Sequence, residues 1–424
     1  MKRFFFLFSF LGTLCILVWM LVFPPQYQPF VYEYPDEEDT QITFFGYKWE
    51  TENVLTIEQL ITEFMQENKT VNVLYESIKG RAFFPVLIKR IETGNGDDVF
   101  MIDRDTLLAL ARRGELVDLS DMPELGEYSD MALSQIREED GSVFALPTSV
   151  SAFGLYCNLD LLKKHHVAIP RNRAEFLEAC AVFRKAGVTP IVANNDISLK
   201  TLAMARGLPE LYASGEPGFA AINAGRVPLS TYFRSGFELL EELCERGYID
   251  RKRALVTEKT RDDLVDFAKG ESPFMLTGVW ASVRLRKMAD FRYAIIPYPV
   301  QEDGTTLVVN IDTRVALNAR GRHLPEAKNF LRHLIRPGSI NRFCLGQDSF
   351  SPLKQLPSPA PALEAIGENL QNGRVVLGAD RRFAFPIWEL SRAASVRILE
   401  GVPAEQALKS LDEAVASSLS GDGA

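Results

Sequence analysis

Between residues 42 and 113, short apolar runs alternate with helical stripes, and no other feature restricts the fold of this chain as much. Residues 42–46 read as a strand. The next segment carries Leu55, Leu60, Ile61 and Phe64 at helical spacing and ends at Asn68-Lys69. Residues 71–75 form a second strand, followed by a helix with Phe84, Val86, Leu87 and Ile91 on its inner face. Residues 98–102 form a third, short and apolar as a strand covered on both faces must be. A helix over 106–113 then stops at Gly114. Strands returned in this way by helices predict a parallel, doubly wound sheet with right-handed crossovers.

The rest of the chain reads as a second, helix-rich α/β domain inserted into the first, with later segments returning. Residues 143–146 are a strand, and Pro147 leads through an extended run into 153–158. The helix over 173–186 places Phe176, Leu177, Cys180 and Phe183 on one face and stops at Gly187. Residues 188–192, 274–277 and 293–297 are strands. Residues 197–268 are mostly helical, broken at 215–217 and 227–228, and 307–317 is one long strand or a pair. Residues 324–335 and 361–424 are helical, and there is no internal repeat.

The N-terminus carries a different signal. Lys2 and Arg3 precede twenty residues, 4–23, that contain neither charge nor Pro. At about 1.5 Å per residue such a run spans a hydrocarbon core of roughly 30 Å. No small-residue cleavage site follows, and Leu14 before Cys15 does not fit a lipoprotein signal. Cys15 reads as a buried apolar side chain. Glu33, Asp36, Glu37, Glu38 and Asp39 follow the span, so positive-inside asymmetry puts residues 24–424 outside the cell. Trp19, Tyr27, Tyr32 and Tyr34 suit an interfacial belt. The reading is an uncleaved signal anchor, with a cleaved signal peptide as runner-up. Residues 24–40 are a Pro- and acid-rich linker reaching at most about 55–60 Å.

A net charge of −9 argues against a nucleic-acid partner and against a role on anionic lipid. Cys157, Cys180, Cys244 and Cys344 have no metal spacing. They read as buried free thiols, with one disulfide as the alternative in an oxidising compartment. The four histidines, His165, His166, His323 and His333, lack zinc spacing. No GxSxG, P-loop or GxGxxG occurs, and no cofactor or metal is called for.

The segment 267–280, Phe-Ala-Lys-Gly-Glu-Ser-Pro-Phe-Met-Leu-Thr-Gly-Val-Trp, reads as a helix end, a turn, a buried strand and a loop bearing Trp280. An indole at a strand mouth beside Gly278 suits a ligand face, and a core Trp is the competing reading.

In order along the chain come Gly46-x-x-Trp49, 71–76, Asp98-Val-Phe-Met, Val143-Phe-Ala-Leu-Pro147 and Gly154-Leu-Tyr-Cys-Asn158. Then come Leu161-Leu-Lys-Lys, Glu175-Phe-Leu-Glu-Ala-Cys, Lys185-Ala-Gly-Val-Thr-Pro-Ile191 and Phe267-x-x-Gly270 with Met275-x-x-x-x-Trp280. Ile296-Pro297-Tyr-Pro299 and Ala327-x-x-Phe330-Leu complete the series. This order resembles the sugar-binding extracellular solute-binding proteins of ABC importers, which include maltose-binding protein. Cys157 stands where that family usually has Tyr, and its final carbohydrate-contacting segments are poorly matched. The resemblance implies an α/β, two-lobe periplasmic-binding-protein-like fold of type II, here preceded by one transmembrane helix. The lobes would be joined by crossing strands near 147–151, 305–309 and 348–352. The expected organisation is an anchor over 1–23, a linker over 24–40, lobe 1 over 41–148 and 308–347, and lobe 2 over 149–307 and 348–424. The ligand would sit beyond the carboxyl ends of strands and be enclosed by hinge closure.

Strand-end residues are the binding candidates. Trp280 and Trp49 supply stacking faces. Glu76, Asp103 and Arg104 can fork vicinal hydroxyls, while helix capping competes for Asp103 and for its neighbour Asp105. Ser151 lies where the resemblance puts a ligand contact. Asn195 and Asp196 follow a strand, with turn formation competing. Asn310 and Asp348 lie near the later crossings. These residues describe a polar, aromatic-lined, mildly acidic site for an uncharged carbohydrate, with Arg104 the one feature favouring an anionic sugar. The resemblance implies ABC permease subunits as partners and a monomer tethered to the membrane. A membrane-tethered sugar sensor and a glycoside hydrolase, which needs two carboxylates about 5–10 Å apart, remain the alternatives.

Overall fold

The computed structural model describes residues 39–259, 261–355 and 359–420. The expected anchor and nearly all of the linker lie outside the described residues. Among the described residues no helix is long and apolar enough to cross a membrane.

The linker ends at Thr40, where β1 (Thr40–Gly46) begins. It pairs in parallel with β2 (Val71–Ser77) and β3 (Val99–Ile102). The helices Thr51–Glu67 and Phe83–Glu92 return the chain between them. Their apolar stripes explain this packing: Leu60, Ile61 and Phe64 of the first and Leu87 and Ile91 of the second are buried. This is the parallel core that the alternation predicts. The sheet is not wholly parallel, however. Its order is β2-β1-β3-β11-β4, and β11 (Arg314–Leu317) runs antiparallel to β3 and to the two-residue β4 (Leu146–Pro147). The reason is topological, because β11 returns from the second sheet in the opposite direction.

That second sheet is built around β5 (Val150–Asn158), which is buried along its whole length. β6 is Ile191–Val192, β7 is Phe274–Gly278, β8 is Tyr293–Ile296 and β9 is Tyr298–Gln301. β10 is Gly304–Ile311 and β12 is Val375–Leu377. The order is β12-β10-β5-β7-β6, with β8 on β5 and β9 on β10. The stretch over 307–317 is therefore a strand pair. β10 stays in the second sheet through Ile311, so the chain regains the first sheet at Asp312–Thr313 and not at residue 308. The break expected at 215–217 is a kink in the Ser198–Asn223 helix, where Gly215 adopts φ 62° ahead of Pro217.

Three segments cross between the sheets. Pro147 leads through Thr148 and Ser149 to Val150, and Ile311 leads through Asp312 and Thr313 to Arg314. They are stitched together by Thr148 N–H donating to the Thr313 carbonyl at 2.8 Å and Asp312 N–H to the Ser149 carbonyl at 3.1 Å. Phe350, on the third, exchanges backbone hydrogen bonds with Val150. Cys157, Cys180, Cys244 and Cys344 are all buried free thiols.

The helix Leu324–Leu334 buries His333 against Phe64, whose ring centroid lies 5.5 Å away. Burial, and then the Arg336 guanidinium, hold the imidazole pKa below its ordinary value. The unfolded chain therefore binds the proton more readily than the folded one. Stability contributed by neutral His333 is present above about pH 6.5 and is lost as the pH falls through the folded pKa. Urea melts of the wild type and His333→Gln across this window should show a shallower acid loss in the variant. Parallel curves would remove His333 from the acid response.

Candidate functional site

The two sheets face each other across a cleft of about 1850 Å³. That is larger than an ordinary small-molecule pocket of roughly 300–1,000 Å³ and leaves room for an extended ligand. Its walls are the loops beyond the carboxyl ends of β1, β3, β6 and β7, where open α/β sheets present their ligand sites. Its floor is the crossing segment from Asn310 to Arg314.

The second-sheet wall is aromatic. Trp280 begins the Ala281–Met288 helix, and its indole folds back over Gly278. A Cβ on Gly278 would meet that ring at 2.1 Å, so only glycine lets the indole lie there. Trp280 meets Phe153 edge-on with centroids 5.4 Å apart, and Phe153 meets Trp388 at 5.2 Å. The three rings line one wall of the cleft. Trp388 sits over Gly378, where a Cβ would come within 2.6 Å of its ring. Lys200, fully buried, places Nζ 3.8 Å from the Trp388 ring centroid. Neither Trp388 nor Lys200 stands out in the sequence, where both fall in stretches read only as helical. A Gly ten residues before a Trp is the sole signal there, and it requires the fold to be meaningful.

Eight of the ten residues expected at the site line the cleft, namely Trp280, Trp49, Asp103, Arg104, Ser151, Asn195, Asp196 and Asn310. Trp49 is 40% exposed, with Lys79 over its ring at 4.5 Å. Several of the polar members already have partners. Asp103 caps the Arg104–Arg112 helix by accepting from Thr106 N–H at 2.9 Å. Arg104 forks onto Glu138. Asn195 donates to the Leu255 carbonyl at 2.8 Å, and Asn310 accepts from Ala379 N–H at 2.8 Å. Asp196 binds Lys200 at 3.0 Å and Lys259 at 2.6 Å. Burial pushes its carboxyl up, but the two ammonium groups outweigh burial and hold it well below the usual carboxylate range. Ser151 is buried and pairs in register with Asn310.

Glu76 and Asp348 do not line the cleft. Glu76 projects from the edge strand β2 and is held by Arg90 at 2.8 and 2.9 Å, which turns it to the outer surface. Asp348 ends the Pro337–Gln347 helix in the left-handed conformation, φ 49°. It accepts from Ser282 and from the Arg286 guanidinium, so it ties that helix to the one beginning after Trp280.

The floor holds a denser set of charges than expected. Lys48 binds Asp312 at 2.8 Å, and Tyr47 Oη donates to the Asp312 carbonyl at 3.1 Å. Burial raises the Asp312 carboxyl, but Lys48 overcomes this and leaves it lowered. Asp105, exposed at the cleft, has its carboxyl raised above the usual carboxylate range by partial desolvation between the cleft walls, then by Asp103 and Glu389. Among the described residues no cluster of His, Cys, Asp and Glu suits a metal ion.

Residues 47–340, more than half the chain, match the model of the family described as bacterial extracellular solute-binding protein. The chain belongs to this family. No curated protein matches the sequence. Solved structures share the fold of this solute-binding protein at low identity. A family 1 extracellular solute-binding protein from Bifidobacterium longum subsp. infantis is 21% identical, with TM-score 0.70 over 89% of this chain and 99% of that one. A sugar transporter protein from Bacillus licheniformis, in complex with stachyose, is 19% identical, with TM-score 0.70 over 88% and 99%. A chitin oligosaccharide binding protein is 16% identical, with TM-score 0.76 over 90% and 100%. The architecture is thus the two-sheet α/β fold of type II periplasmic-binding-protein-like structures.

Proposed function

We propose that this protein captures an oligosaccharide in the cleft between its two sheets and hands it to the membrane subunits of an ABC importer. The observation that carries this reading is the wall of Trp280, Phe153 and Trp388 facing a polar floor. A sugar presents apolar C–H faces and hydroxyl edges, and this arrangement meets both. The stachyose complex and the chitin oligosaccharide binding protein, alike in fold, support it. In this reading lobe 1 comprises residues 41–148 and the segment returning after the second crossing, lobe 2 the remainder, and closure proceeds about the three crossings. The apolar run over 4–23 tethers a monomer to the membrane with the cleft outside. That same run, without a cleavage site, favours one second reading, a tethered sensor that reports sugar binding to a signalling partner.

Thermal unfolding in the presence of a library of neutral and acidic oligosaccharides tests the binding step. One class should raise the midpoint, since ligand at 100 times its Kd adds about 2.7 kcal/mol to native stability. Absence of any shift, or release of cleavage products, would count against the proposal. Copurification with two permease subunits distinguishes import from sensing.

A further inference from the structure

Two buried charged residues, Arg314 and Asp380, line the cleft. Asp380 is bound to Arg382 at 2.6 Å. Arg314 is 5% exposed, and among the described residues no carboxylate lies within ion-pair distance of it. Its Nη1 donates to the Ile311 carbonyl at 3.0 Å, and the rest of its guanidinium fork has no hydrogen-bond partner among the described residues. It opens β11 immediately after the second crossing, so it stands on the floor where the two sheets meet. Burial, and then the nearby Arg104, pull its pKa down to about 10, which still leaves it charged at neutral pH.

A buried guanidinium that the carboxylates of Asp103 and Asp312 reach only beyond ion-pair distance is costly, and a ligand anion on its open fork would relieve that cost. Arg104, the residue expected to favour an anionic sugar, is occupied by Glu138, so that role passes to Arg314. A guanidinium fork matches the planar edge of a carboxylate. Asp103 and Asp312 act on Arg314 from the same floor, which suits a single negative charge better than a phosphate dianion. Arg284, one turn beyond Trp280, also lines the cleft and has no ion-pair partner among the described residues. On the reading that this cleft binds carbohydrate, we propose that its ligand is a uronate-bearing oligosaccharide whose carboxylate is held by the Arg314 guanidinium.

Calorimetry on the detergent-solubilised full chain tests this with oligogalacturonates, oligoglucuronates and, for each, its carboxyl-reduced neutral counterpart. One uronate should bind at least ~10-fold tighter than its reduced counterpart, with the gap narrowing as salt rises. Arg314→Gln should erase the difference within that pair, and Arg314→Lys, which keeps charge but not the fork, should leave part of it. The wild-type comparison stands even if both variants fail to fold. Equal or tighter binding of a reduced counterpart overturns the uronate assignment and leaves the carbohydrate reading intact. Tighter binding of sulfated oligosaccharides overturns the choice of carboxylate. Failure of every acidic and neutral sugar to bind overturns both.

Discussion

Trp280→Ala should weaken oligosaccharide binding at least ~10-fold, about 1.4 kcal/mol or more, while the fold survives. The indole is partly exposed at the cleft and packs only one side against the second-sheet core. Its removal takes away the exposed aromatic face against which a pyranose ring can stack. Trp388→Ala should act in the same direction, because Phe153 couples the two indoles at 5.4 and 5.2 Å. Gly278→Ala provides an independent check. The added methyl would occupy the place of the indole, so affinity should fall even though no ring is deleted. Titration calorimetry with the tightest sugar of the library, alongside circular dichroism, measures all three. Unchanged affinity in a folded Trp280→Ala protein would sink the platform.

Asp196→Asn should destabilise the fold by about 3–5 kcal/mol, the usual cost of removing one partner from a buried pair. Lys200 is fully buried, and burial pulls its pKa down to about 8 although Asp196 opposes that shift. Without Asp196 the ammonium would lose its ion-pair partner in the interior, leaving the Trp388 ring against it and the more distant Glu389 carboxylate. Lys200→Met should be close to neutral or stabilising, since replacing a buried charge by a side chain of similar volume removes the desolvation cost. The double variant Asp196→Asn/Lys200→Met should then recover most of the loss seen in Asp196→Asn. Denaturant melts of the three proteins close this cycle. A loss of sugar affinity in Asp196→Asn at unchanged stability would instead make Asp196 a ligand contact.

These two sites mark different limits of what could be read from the chain. Trp280 was legible because three local facts coincide there: a buried strand, a Gly and a following aromatic. Its neighbour Trp388 lies more than a hundred residues later and joins it only because β10 and β12 pair beside β5. Asp196 was legible as a strand-end polar residue, but not as the partner of Lys200. Asp196 lies in the turn that leads into the Ser198–Asn223 helix, and Lys200 lies in the first turn of that helix, whose burial is set by tertiary packing. Glu76 failed for a similar reason. Its position at the end of a strand is correct, yet β2 is the sheet edge and Arg90 draws its carboxylate outward. Asp348 is near a crossing as expected, but its left-handed backbone aims it at Ser282 and Arg286.

Taken by itself, the sequence determined the parallel β1–β3 core with its returning helices, the interruption at 215–217 and most of the loops that meet at the cleft. Each of these follows from local periodicity and local backbone preference, which neighbouring residues carry between them. Only the tertiary structure decided that β11 enters antiparallel, that the second crossing falls at Asp312–Thr313, and that Arg314 is buried with no carboxylate at ion-pair distance while Arg104 is spent on Glu138. Strand direction, burial and charge pairing depend on segments distant in sequence. Their energies arise only when those segments are brought together and water is excluded between them.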